Sequence, residues 1–193
     1  MDAYGLVTAR PHIIGIDDSP FEKGQVQPVP LVAVMMEGAD LVEGIALTDF
    51  PVDGDAATDY LASWIAGLRF HASLQAVALG GITIAGLGIV DPTELAARLG
   101  IPVLIVTRRE PVDAPLIHAL EAAGLRDRIP IVERSPRAFP MIEGQYLACA
   151  GIDWSGAACL ARASLHKAQF PEPLRVAHLI GRALVTGESR GRV

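Results

Sequence analysis

His12-Ile13-Ile14-Gly15-Ile16-Asp17-Asp18-Ser19-Pro20 is the stretch on which the reading of the whole chain turns. Between His12 and Asp17 every residue is apolar or glycine, the pattern of a strand buried on both faces rather than one with a wet side. Asp-Asp-Ser-Pro is turn chemistry, so the strand stops there. Two adjacent carboxylates are thereby expected at the C-terminal end of an interior strand.

Two more apolar runs follow, at 31–36 and 41–48, and the Glu37-Gly38-Ala39-Asp40 between them has the composition of a hairpin turn. Three antiparallel strands are therefore expected first. After Pro51-Val52-Asp53-Gly54, residues Ala56, Ala57, Tyr60, Leu61, Trp64, Ile65 and Leu68 recur near helical spacing, predicting a helix over about 55–69. A strand at 74–79 leads into the glycine-rich stretch from Gly80 to Gly88. Asp91-Pro92-Thr93-Glu94 is a helix start, with Asp91 as cap, Pro92 in the first turn and Glu94 at the capping-box position. Beyond the helix closed by Gly100, the pattern predicts strands at 101–107, 129–133 and 141–150. It also predicts helices at 115–123, from 155 to about 168, and from 173 to about 185. Three antiparallel strands followed by helix, strand, helix, strand is the order of an α/β fold of the ribonuclease H-like type, with a mixed sheet. A plain doubly wound fold, alternating from the start, ranks second.

The 193 residues fit one domain, and a hydrophobic content of 51% is ample for a core on both sides of a sheet. Aromatics make up 5%, too few for a platform on which bases stack along a strand. The formal net charge of −6 argues against attachment to nucleic acid by bulk charge, so any such contact must be local. Basic residues cluster at Arg108 and Arg109, at Arg126 to Arg137, and at Arg190 and Arg192, each of which a solvated surface would also explain. The two cysteines, Cys149 and Cys159, lack metal-knuckle spacing and read as free thiols. With neither a secretory leader nor a membrane-length apolar run in the pattern, a cytoplasmic protein is expected.

A hard cation such as Mg²⁺ takes oxygen ligands and must meet phosphate oxygens in the open, which makes Asp17 the leading metal-ligand candidate, with Asp18 beside it. One member of the pair could equally serve as a turn or cap residue. Asp53, Asp55 and Asp59 precede or open the next helix. There they complement the helix dipole, and Asp55 or Asp59 would add a second carboxylate if that helix packed beside the first strand. The glycine-rich stretch lies between a strand and a helix, where Gly81, Thr83 and free backbone amides suit a phosphate, although neither G-x-G-x-x-G nor a P-loop lysine is present. A close-packed turn explains it as well. The five histidines are scattered without metal-ligand spacing and read as structural, and no serine has nucleophile-elbow context.

These residues carry a resemblance to a known family. Gly15-Ile16-Asp17-Asp18-Ser19-Pro20-Phe21, Asp53-Gly54-Asp55, Gly81-Ile82-Thr83, Val90-Asp91, Ile101-Pro102-Val103, and Pro171-Glu172-Pro173-Leu174-Arg175-Val176-Ala177-His178 closely resemble the endonuclease V-like family known as domain of unknown function ninety-nine, or endonuclease dU. Similarity extends over about residues 12–192. The resemblance implies a distant relative of endonuclease V, a Mg²⁺-dependent nuclease that cuts beside deaminated bases. It implies Asp17 as the first-strand metal carboxylate, Arg108 near the site, and Arg175 within the C-terminal motif. Two departures stand out: Gly80 where endonuclease V carries Asp, and Ile152 where it carries His. The tyrosine wedge of that enzyme is not apparent near Phe50-Pro51.

The expectation is therefore a metal-dependent endonuclease on deaminated nucleic acid, with its activity weakened by the missing ligands. Asp17 and Asp18 would hold Mg²⁺, Asp55 or Asp59 would assist, and Arg108 would contact phosphate. Gly81, Thr83, Arg109 and Arg175 would bind nucleic acid. The alternative is a non-catalytic nucleic-acid or nucleotide-binding module with the same fold.

Overall fold

In the computed structural model, residues 10–22, 24–142, 144–166 and 170–189 are described. Strand β1, His12–Asp18, is fully buried from Ile13 to Ile16, as its uninterrupted apolar run requires. It pairs antiparallel with β2, Val29–Glu37, which pairs antiparallel with β3, Leu41–Phe50, so the three-strand opening stands. On its other side β1 pairs in parallel with β4, Ala76–Leu79, and β4 pairs in parallel with β7, Val103–Thr107. The sheet continues through β9, Gln145–Ala150, to β8, Phe139–Ile142, giving the order β3-β2-β1-β4-β7-β9-β8. This is the expected ribonuclease H-like mixed sheet, with β1 in its interior.

Helices cover both faces. Helices α1, Ala57–Ala66, and α2, Pro92–Leu99, pack on one side, where Ile14, Ile16, Leu61, Ile65, Leu95 and Val77 share a core. Helix α5, Trp154–Ala163, and the start of α6, Glu172–Thr186, cover the other side, over Ile13, Leu104, Leu147 and Leu174. Asp91 caps α2 as expected: its Oδ1 accepts from the amides of Thr93 at 2.9 Å and Glu94 at 3.1 Å. No helix among the described residues is long and apolar enough to cross a membrane.

Four expectations need correction. The apolar residues at 129–133 form helix α4, Ile129–Arg134, not a strand. Pro130 falls in its first turn, where a missing amide hydrogen costs nothing, and Val132 packs against Leu120 of α3, Asp113–Ala122, in a satellite core. The single strand over 141–150 is instead the hairpin β8–β9, broken at Gly144 with a φ of +72°. The helix from 155 to 168 ends at Ala163, and residues 167–169 lie outside those described. Lastly, the glycine-rich stretch is itself a small hairpin, β5, Thr83–Ile84, against β6, Gly88–Ile89.

Candidate functional site

Side chains alternate along β1, so Gly15 and Asp17 face α6 while Ile16 and Asp18 face the α1 side. Gly15 is what lets α6 approach: a Cβ there would lie 2.4 Å from the backbone of Pro173 and Leu174. From that contact the two elements run in step. Leu174 to His178 is one helical turn, about 6 Å, and Gly15 to Asp17 is about 6.6 Å of strand. The His178 imidazole thus arrives beside Asp17, with Nδ1 2.8 Å from Oδ2. A few residues on, Gly181 passes over Ser19, where an added Cβ would sit 3.0 Å from the hydroxyl.

On the opposite face Asp18 is held by the glycine-rich hairpin, its Oδ2 accepting from the Ala85 amide at 2.9 Å. That hairpin is in turn fastened to the loop before α1, where Asp53 Oδ1 accepts from the Leu87 amide at 2.7 Å. Gly86, at φ +96°, has no room for a Cβ against the Asp53 carboxylate. The glycines therefore serve to fold a tight hairpin over the end of β1.

Burial and the neighbouring Asp18 charge push the Asp17 carboxyl up to about 6, against the opposing pull of its hydrogen bond to His178. Asp18 is also raised, chiefly by burial, with the Ala85 amide working the other way. Two adjacent half-buried carboxylates facing one imidazole among the described residues form a site short of positive charge. Both line a cavity of about 170 Å³ with Gly80, Gly81 and Thr83. Its donor set, two carboxylates and the exposed Thr83, fits a hard divalent cation that completes its shell with water or phosphate oxygens. Gly80 supplies no ligand, yet a Cβ there would meet nothing within 4 Å.

Gly81 also lines a second cavity of about 400 Å³, walled by Ile82, Ile105, Val112 and Leu116, with Thr107, Glu110, Asp113, Ser135 and Arg137 as its polar members. The two cavities adjoin at the C-terminal ends of the parallel strands β1, β4 and β7.

Of the other residues singled out in the sequence, Arg108 and Arg109 follow β7 at this same end, and the Arg108 guanidinium lies 5.1 Å from the centre of the Phe170 ring. Arg175, one turn before the Asp17 partner on α6, pairs with the buried Glu172 at 2.7 Å. Asp55 and Asp59 do not join Asp17. They line a separate cavity with Arg98 and Arg128, where Asp59 pairs with Arg98 at 2.6 Å and Asp55 lies 3.7 Å from Arg128. Phe50 is buried, edge-on to Tyr60, and offers no wedge.

Ile152 is likewise not a site position. It follows β9, whose antiparallel register sets Ala150 beside Val103, so the chain leaves the sheet at the end opposite Asp17. The imidazole at the site is that of His178, which had been taken as structural. Its sequence signals were its place in the C-terminal motif that starts at Pro171 and its position one turn beyond Leu174 on the buried stripe of an amphipathic helix. Among the described residues a His12, Glu37 and Glu43 group also brings its ligating atoms within 4.8 Å of one another. It stands at the start of β1, about 17 Å along the strand from Asp17. There Glu43 pairs with His12 and Glu37 with Arg10, both at 2.9 Å.

Comparison with known proteins agrees with this architecture. A UPF0215 protein of Methanothermobacter thermautotrophicus is 36% identical over 97% of this chain and 94% of its own length, and one of Methanosarcina mazei is 31% identical over the full length of both. Among solved structures, a protein of unknown function from Archaeoglobus fulgidus superposes with a TM-score of 0.80 at 30% identity, covering 91% of this chain and 98% of that one. The endonuclease V of Bacillus subtilis gives 0.60 at 14% identity over 91% and 81% of the two chains. That of Ciona intestinalis, in complex with DNA containing an inosine, gives 0.57 at 12% over 87% and 82%. The two endonuclease V likenesses establish a shared fold. The family profile described as endonuclease dU matches residues 9–185, and the chain belongs to that family.

Proposed function

We propose that this chain is a divalent-metal-dependent endonuclease acting on nucleic acid that carries a deaminated base. The observation that carries the reading is the pair Asp17 and Asp18, half-buried, adjacent and short of positive charge, opening through Gly81 onto a cavity roomy enough for an extruded base. The likeness in fold to inosine-DNA-bound endonuclease V supports it.

Asp17 and Asp18 would hold the cation from two faces of one strand end. Bound there, it supplies positive charge against the negative charge that develops on the phosphate during cleavage. His178 fixes the direction of the Asp17 carboxylate and favours its ionised form. Arg108 and Arg109 offer cations to the strand backbone at the same edge of the sheet, and Thr83 a hydroxyl. With two carboxylates rather than three, the site binds Mg²⁺ weakly, since affinity follows the number and charge of oxygen ligands.

Gly80, which leaves a ligand position empty of carboxylate, favours a second reading, a nucleic-acid-binding module without catalysis. Incubating the protein with Mg²⁺ or Mn²⁺ and strands containing one inosine or one uracil separates the two. Slow cleavage that Asp17→Ala abolishes supports the nuclease. Binding without cleavage at any metal concentration supports the module.

A further inference from the structure

His12, Glu37 and Glu43 come from three neighbouring strands, β1, β2 and β3, and each brings a ligating atom to within 4.8 Å of the other two. No other group of three histidine, cysteine or carboxylate side chains does so among the described residues. Strand register explains the meeting. His12 stands directly opposite Glu37 in the β1–β2 pair, on the face that Ile14 and Met35 turn toward α1. Strict alternation from Gly44, the partner of Met35, would send Glu43 to the other face. Instead the ladder slips: Met35 pairs with Gly44 but Met36 with Val42, which leaves Glu43 as the extra residue of a β-bulge. A bulge re-aims the side chain it carries, and this one sets Glu43 Oε2 2.9 Å from His12 Nε2. The imidazole starts from a fixed backbone, since the His12 amide donates to Gln75 Oε1 at 3.0 Å and its carbonyl accepts from the Gln75 amide at 2.9 Å.

We infer that His12, Glu37 and Glu43 bind a zinc ion, which clamps β1, β2 and β3 together at the end of the sheet opposite Asp17. Local charge favours a divalent cation. Arg10 pairs with both Glu37 and Asp40, so three carboxylates with Glu43 surround one guanidinium, and beside a neutral imidazole two negative charges stay uncompensated. Arg10 holds Glu37 by Oε1 alone, leaving Oε2 for a metal, and ligating carboxylates are commonly oriented by such an outer partner. One imidazole with two carboxylates suits zinc, whereas Mg²⁺ is served by oxygen ligands such as Asp17 and Asp18. Zinc holds such donors at about 2.0–2.2 Å in a tetrahedron, which spaces them roughly 3.4 Å apart. The His12–Glu43 contact then opens by about half an ångström and the wider gaps close by at most about 1.5 Å, within reach of glutamate side chains 29% and 33% exposed. Water takes the fourth position. Because the three ligands meet only in the folded sheet, bound zinc stabilises the native state.

The test is equilibrium dialysis of the full chain, freed of metal by chelation, against Zn²⁺ in the presence of excess Mg²⁺, with thermal unfolding followed in parallel. Wild type is expected to bind a single zinc that Mg²⁺ does not displace, and to unfold at a higher temperature with zinc than without. Glu43→Gln and His12→Gln should each weaken zinc at least about tenfold and abolish the thermal shift. Glu43 is on the exposed edge strand, so without zinc Glu43→Gln should unfold as wild type does. Co²⁺ in place of zinc should give a visible absorption band in wild type that His12→Gln loses. Asp17→Ala, at the far end of β1, should keep both the affinity and the band. Zinc affinity that both glutamine variants retain, or that Asp17→Ala removes, puts the ion elsewhere and overturns the assignment. A wild-type unfolding temperature that zinc leaves unmoved overturns it as well.

Discussion

His178 Nδ1 lies 2.8 Å from Asp17 Oδ2, joining the last helix of the fold to the first strand across 161 positions of sequence. The imidazole, by its hydrogen bond and charge, and to a smaller extent the Asp18 amide pull the Asp17 carboxyl down, against burial and the Asp18 charge that lift it to about 6. His178→Ala should therefore raise the Asp17 titration further and weaken divalent-ion binding at neutral pH. An NMR titration of the Asp17 carboxyl carbon checks this. An unchanged midpoint would mean that the contact orders the side chain without tuning it.

Asp17 also makes stability depend on pH. Its folded value of about 6 stands above the ordinary 3.8, so between these values the folded state holds the proton more tightly than the unfolded one. Stability then falls as pH rises through about 4 to 6 and levels off above, by roughly 2–3 kcal/mol from this group at about 1.4 kcal/mol per unit. Asp17→Asn should flatten that slope and stabilise the metal-free protein at pH 7. Urea unfolding at pH 4.5 and pH 7.5 measures both.

Gly80→Asp should fold without strain, since the added Cβ meets nothing within 4 Å, and should place a carboxylate at the cavity already lined by Asp17 and Asp18. Mg²⁺ affinity by calorimetry should rise, and cleavage of inosine- or uracil-containing strands with it. Adding Asp17→Ala should remove both gains. A Gly80→Asp protein that folds but binds Mg²⁺ no better would place the ion away from this cavity.

Gly15→Ala should be among the most damaging substitutions available, because the new methyl would lie 2.4 Å from backbone atoms that have no rotamer to yield. Overpacking of a core costs about 1–3 kcal/mol even where side chains can move, and here α6 itself must shift. The shift would carry His178 away from Asp17, so loss of stability and a raised Asp17 titration should appear together.

Asp91→Ala should cost about 0.5–2 kcal/mol from the lost cap alone, and more where Arg134 loses its 2.8 Å partner. Divalent-ion binding should be unaffected, since Asp91 does not line the Asp17 cavity. Thermal unfolding beside calorimetry reads the two independently.

What the sequence by itself determined is what short-range chemistry dictates. The uninterrupted apolar run before Asp17 could be satisfied only by an interior strand, the Glu37-Gly38-Ala39-Asp40 turn made β2 and β3 a hairpin, and Asp91-Pro92 opened a helix. Even there, Ile129-Pro130-Ile131-Val132 misled, because β-branched residues suggest a strand while Pro130 and the satellite core favour a helix. The make-up of the site was decided by tertiary structure alone. Asp55 and Asp59 stand close to the acidic pair in the order of the strands and helices, yet the loop before α1 and the helix itself turn them toward Arg128 and Arg98. Ile152 was carried to the far end of the sheet by the antiparallel register of β9. His178, remote in sequence and without metal-ligand spacing, was brought to Asp17 by the absence of a Cβ at Gly15. Propensity, periodicity and capping act over a few residues, whereas the meeting of two faces depends on register and close approach between segments far apart in the chain.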